Sequence, residues 1–252
     1  MSKSADSERR DPAKIPRARF PDSTLPFLLD PYGFVSRMCA KRGSELFETR
    51  LQLERVICMT GKDAAKVFYD TTRFMRDGAA PRRIQKTLFG VGGVQGLDDE
   101  AHRHRKTLFL SIVEPERVAA LARLSLSQWE TAAQGWEKRE QVTLYDASRE
   151  VLTRAVCAWS GVPLNESEVD QRVAELSALY DAAGSIGLRH WKARRDRSSA
   201  EKWARELIGA ARSGKLKLRA DQALSLVASH VDERGRQLDL DVAAVELLDR
   251  RS

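Results

Sequence analysis

The segment IQKTLFGVGGVQGLDDEAHRHRKTLFL, residues 84–110, decides how this chain is read. Its first half concentrates glycine at Gly90, Gly92, Gly93 and Gly96. The spacing predicts one long loop over residues 78–99, and long ordered loops tend to carry function. From residue 100 onward the pattern turns helical. The run Gly90–Gly96 has the outline of a dinucleotide-binding loop. Such a loop needs a buried strand before it, a helix after it and an acidic residue about 20 positions on. The preceding PRRIQKTLF is no such strand, so nucleotide binding is set aside.

The helix that follows opens with His102, His104, Arg105 and Lys106. Histidines two positions apart point about 200° from each other around a helix, so they do not chelate one metal. His190 and His230 have no ligand companions in the sequence. Cationic and hydrogen-bonding side chains beside a helix N-terminus suit a carboxylate, because free backbone amides and the helix dipole add to them. The plainer alternative is a solvated basic helix start.

Away from this segment the patterns are local. Residues 1–15 are polar and charged and read as a disordered tail. Pro16, Pro21, Pro26 and Pro31 suggest an extended entry to a helix around Phe34–Cys39. Alternation through Leu46, Thr49, Leu51 and Leu53 predicts a hairpin over 44–59. Thr60 is expected to cap a helix that buries Ala64, Ala65, Phe68 and Tyr69. Helical stripes then run through Val118–Trp136 and Leu144–Trp159, the second stopped by Gly161-Val162-Pro163. Asn165 with Glu168 predicts a capping box for a helix running towards Gly184. The basic run RHWKARRDR, 189–197, reads as a surface loop ahead of a helix over 199–212. The closing stripe Leu240, Ala243, Ala244, Leu247 and Leu248 predicts a helix whose apolar face lacks a partner in the chain.

Composition narrows the class. The chain has 252 residues, a net charge of +7 and a pI near 9.5, with acidic and basic residues largely interleaved. That balance reads as solvated helix faces rather than a nucleic-acid footprint. The basic run with Trp191 is the one stretch that would suit nucleic acid, and no nucleic-acid motif accompanies it. Cys39, Cys58 and Cys157 form no disulfide framework and no metal-ligand spacing, which points to a reducing compartment. Without an apolar leader or a long apolar run, the expectation is a soluble cytoplasmic protein with no transmembrane segment. The fold class is mainly α with a small N-terminal β region.

The runs CMTGKDAAKVFYDTTRFMR (58–76), IQKTLFGVGGVQGLDDEAHRHRKTLFLSI (84–112), WSGVP (159–163), GLRHWKARR (187–195) and AVELL (244–248) together resemble the fatty-acid peroxygenases, a branch of the haem-thiolate cytochrome P-450 superfamily. The resemblance implies the N-terminal portion of a P-450 fold over residues 16–252, with haem b as cofactor. It implies that Gln95 is the polar residue above the haem and that Phe89 lines the substrate pocket. Arg76, His102 and Lys106 would face the haem propionates, with Arg105 the alternative to Lys106. It further implies hydroxylation of long-chain fatty acids at the α or β carbon by hydrogen peroxide, with decarboxylation to a terminal alkene competing. The resemblance implies as well that no reductase is needed and that the intact protein is a monomer.

The sequence also departs from that family. After AVELL the family continues into an Arg-Pro pair whose Arg binds the fatty acid, whereas this chain reads Asp249-Arg250-Arg251-Ser252. The later Glu-x-x-Arg pair and the cysteine loop have no counterpart, so no axial metal ligand is assigned. Cys58 and Cys157 sit in apolar patterns and read as core residues. The expectation is a truncated, inactive form of a peroxygenase. The rival is a non-enzymatic basic helical binding protein derived from that fold, and a nucleic-acid binder stands third.

Overall fold

The structure, a computed structural model, describes residues 15–18, 21–82, 85–181 and 187–249. The expectation of a tail over residues 1–15 falls almost wholly outside them. The chain forms two compact units, one ending at Phe74 and one starting at Met75.

The first unit holds α1 (Thr24–Leu29), α2 (Phe34–Arg42), the antiparallel strands β1 (Leu46–Leu51) and β2 (Glu54–Met59), and α3 (Lys62–Phe68). The hairpin pairs Leu46 with Met59 and Leu51 with Glu54. Its two turn residues, Gln52 and Leu53, take φ of 55° and 68°, the left-handed pair that matches the twist of the strands. Asp22 steadies this turn by accepting a 2.7 Å hydrogen bond from the Leu53 amide. The strand face turned inward is that of Phe47 and Thr49, so Leu53 lies outside at the turn. Phe47 packs with Phe34, Cys39 and Cys58 in a small core, and the Phe34 and Phe47 rings meet edge to face at 6.2 Å.

Two expectations in this unit are corrected. Thr60 does not cap α3; the cap position is Gly61, with φ 94° and no side-chain hydrogen bond. Phe68 and Tyr69 are exposed and α3 has no buried residue. Its apolar residues stack on one another at the surface, Phe68 against Tyr69 and Phe74. The entry also contains the short helix α1, which its prolines concealed.

The second unit is helical. It holds α4 (Asp99–Ile112), α5 (Pro115–Trp136), α6 (Leu144–Ser160), α7 (Val169–Asp181), α8 (Leu188–Arg212), α9 (Ala223–Ser229) and α10 (Leu240–Leu248). Pro115 sits in the first turn of α5, where its missing N–H costs nothing. Gly161, at φ 79°, ends α6: its amide donates to Ala158, and the Val162 amide to Cys157, as the sequence leads one to expect. Asn165 differs from expectation. It donates to the Glu168 side chain at 2.7 Å and opens a 3-10 turn, Glu166–Glu168, ahead of α7.

The core gathers around α8, which packs on α7, α9 and α10. Small residues let these helices approach closely, notably Ala200, Ala204, Ala243 and Ala244, all fully buried. Leu224, Leu247 and Leu248 are also fully enclosed, each contributing roughly 2–3 kcal/mol by removal from water. The apolar stripe of α10 therefore has partners within the chain, against the expectation that it lacks them. The run 189–197 is likewise not a loop. It forms the first turns of α8, with Ala193, Arg197 and Ala200 facing inward. A buried arginine at the centre of that inward stripe hides the helical period from a hydrophobicity reading.

Two histidines lock α4 to the end of α9. The His104 Nε2 lies 3.0 Å from the Val231 carbonyl, and its ring stacks on His230 at 5.1 Å. Burial, aided by Arg105 and His104, pushes the His230 imidazole down to about 4. A depressed histidine stabilises the fold fully above its unfolded value near 6.5, and this contribution is lost as pH falls towards about 4. Denaturant midpoints measured from pH 7 to pH 4 should therefore fall more for the native chain than for His230→Gln (pH limits set at roughly those two values). Parallel curves would show that this histidine is not linked to folding.

Candidate functional site

The glycine-rich segment contains more structure than a loop. Gln85–Phe89 is a π-helical turn and Val94–Gly96 a 3-10 turn, and the Gly90 amide closes the first by donating to Gln85 at 2.7 Å. A wide turn of this kind is a recurrent feature of functional sites. The two turns enclose a cavity of about 200 Å³ whose walls include Phe89, Gly90, Gly93, Gln95 and Leu97. Phe89 and Gln95 thus face one space, Phe89 half-buried and Gln95 exposed.

Gly90 makes this arrangement possible. Its φ is +81°, and a Cβ there would stand 2.4 Å from the Arg197 Nη2 and 2.6 Å from Val245. Arg197, buried in α8, is the strut beneath the segment. Its Nη1 donates to the Leu88 carbonyl at 2.6 Å and its Nε to Glu201 at 2.7 Å. Neither Arg197 nor its partner could be singled out from sequence, since 109 residues separate Arg197 from Leu88.

A second group lies at the start of α4. The Asp98 carboxylate accepts from the Arg76 amide at 2.8 Å and the Asp77 amide at 2.9 Å. These bonds hold its pKa below the usual carboxylate range. They also bring Arg76, 22 residues earlier, to the helix start, where its guanidinium lies 3.9 Å from Asp98. His102 and Lys106 stand one turn apart on the same face of α4. Burial, then Arg76, then Lys106 push the His102 imidazole down. So Arg76, His102 and Lys106 share one neighbourhood with the Asp98 carboxylate. Asp98 organises the group and was not singled out from the sequence, although its position at the helix start was a usable signal.

Arg105 is placed elsewhere. It is buried and pairs with the fully buried Glu246 of α10 at 2.6 Å. The cysteines are also interior. Cys39 and Cys58 lie in the core of the first unit and Cys157 in that of the second, all buried.

No family model matches the sequence. Solved structures do. Cytochrome P-450SP alpha (CYP152B1) in complex with (R)-ibuprofen is 47% identical, with a TM-score of 0.89 over 92% of this chain. Cytochrome P-450EX alpha (CYP152N1) with myristic acid is 42% identical, with a TM-score of 0.89 over 94%. A variant of cytochrome P-450 OleT in complex with arachidonic acid is 26% identical, again at 0.89 over 94%. This chain spans 57% of the length of each.

Proposed function

Since this chain belongs to the CYP152 fatty-acid peroxygenase branch of the cytochrome P-450 superfamily, we propose that its second unit forms the distal and propionate-facing part of a haem site for long-chain fatty acids. The observation that carries this reading is the convergence of Arg76, His102 and Lys106 around the helix start that Asp98 organises. Two cations and an imidazole suit two carboxylates in charge and in hydrogen-bonding capacity. Bound haem would supply peroxide-driven hydroxylation at the α or β carbon of the acid, with decarboxylation competing and no reductase required.

The roles of the chain's own residues follow from their chemistry. Arg76 and Lys106 neutralise the propionates. His102, whose imidazole is pushed down by burial and then by Arg76 and Lys106, would regain basicity when an anion arrives and then donate a charged hydrogen bond. Arg105 is left out, because its guanidinium is committed to Glu246. Gln95 presents a neutral amide to the cavity, which can orient a small polar molecule without exchanging a proton. Phe89 gives an alkyl chain an apolar wall. None of the three buried thiols is assigned as the axial ligand, so this chain by itself should not turn over substrate.

The test is a haemin titration of the full chain, followed by absorbance, against the Arg76→Ala/Lys106→Ala pair. Each lost charged hydrogen bond is worth about 1.5–3 kcal/mol, so the pair should bind at least about tenfold more weakly. The His102 pKa, followed by NMR, should rise when haemin binds. Equal affinity for the two proteins, with an unmoved His102, would defeat the proposal.

A further inference from the structure

The outer face of the first turns of α8 combines exposed apolar side chains with basic ones. Leu188 is 89% exposed and Trp191 65% exposed, one turn apart. Arg195 follows one turn later on the same face, opposite the inward stripe of Ala193, Arg197 and Ala200. Residues 188–195 contain Arg189, Lys192, Arg194 and Arg195 and no carboxylate. Arg194 lies over the Trp191 ring at 5.3 Å, a cation–π contact. The nearest acids are engaged: Asp196 pairs with Lys192 at 3.0 Å, and the Asp181 side chain takes the Tyr145 hydroxyl. Arg189 donates to the backbone carbonyl of Asp181, at 2.8 Å.

We propose that this face docks on an anionic lipid surface, with Leu188 and Trp191 entering the headgroup layer and Arg194 and Arg195 meeting lipid phosphates. Trp and Leu projecting from a basic helix face have the chemistry of an interfacial contact, because one end of the contact is apolar and its flanks are charged. Among the described residues no helix is long and apolar enough to cross a membrane, and the proposed contact is an interfacial one. A nucleic acid would use the same cations and stack on Trp191, but it has no use for an exposed leucine beside the indole. The inference rests on this surface alone and stands whether or not the haem reading holds.

Flotation of the full chain with vesicles separates these outcomes. Vesicles of phosphatidylcholine mixed equally with phosphatidylglycerol should bind it, and pure phosphatidylcholine vesicles should bind it at least about tenfold less. Tryptophan emission should shift to the blue on binding. The Leu188→Ser/Trp191→Ser pair, with an unchanged circular dichroism spectrum, should lose the binding by about tenfold or more, and Arg194→Glu/Arg195→Glu likewise. The proposal is overturned if both vesicle types bind equally, if neither binds, if the variants bind like the native chain, or if single-stranded DNA binds more tightly than anionic vesicles at the same salt.

Discussion

Replacing Glu246 by leucine is expected to lower the unfolding free energy by about 3–5 kcal/mol, the cost of leaving one member of a buried ion pair uncompensated. Glu246 is fully buried in α10, and Arg105 is nearly so in α4. Their 2.6 Å contact joins positions 141 residues apart. Removing the carboxylate strands a guanidinium beside His230, whose imidazole Arg105 already disfavours protonating. The double change Arg105→Met/Glu246→Leu should recover much of the loss, because apolar side chains of similar volume often replace a buried pair at little cost. Equilibrium denaturation of the single and double variants measures both. A single variant within about 0.5 kcal/mol of the native chain would show that the pair is not desolvated as the fold implies.

The second large effect is at Gly90. Alanine there must adopt a left-handed backbone, at about 1–2 kcal/mol, and must also displace Arg197 and Val245, at about 1–3 kcal/mol. The guanidinium cannot retreat freely, because it is tied to the Leu88 carbonyl and to Glu201. Gly90→Ala should therefore destabilise by roughly 3 kcal/mol in total. It should also move Phe89, whose carbonyl neighbour Leu88 rests on the same strut, and so weaken any ligand held in the cavity. Gly96→Ala is the control: a Cβ there meets nothing within 4 Å, and a change within about 0.5 kcal/mol is expected. Denaturation of both variants decides the matter, and equal stability would remove the strut from the account.

Much of the fold was legible because it is encoded locally. The hairpin shows in its alternation and α10 in its leucine–alanine stripe, and Gly161 marks where α6 stops. The failures also have local causes. Thr60 looked like a cap because threonine often is one, but the chain turns at Gly61. Phe68 and Tyr69 looked interior because they are large and apolar, yet they close on each other at the surface. Arg197 broke the apolar period of α8, so its first turns passed for a charged loop.

The candidate site divides the same way. Gln95, Phe89, Arg76, His102 and Lys106 were singled out by the family resemblance, and Gln95 and Phe89 line one cavity. Whether Arg105 or Lys106 faced the proposed anion was open. Arg105 pairs with Glu246 of α10, and its guanidinium is committed there.

By itself the sequence determined most of the long helices, the hairpin and the family resemblance, because periodicity and motif need only neighbouring residues. The tertiary structure decided which charges are buried and which are free to meet a ligand. A cation's solvation and its partner are set by whatever packs over it, and for Arg105 and Arg197 those groups lie more than 100 residues away along the chain.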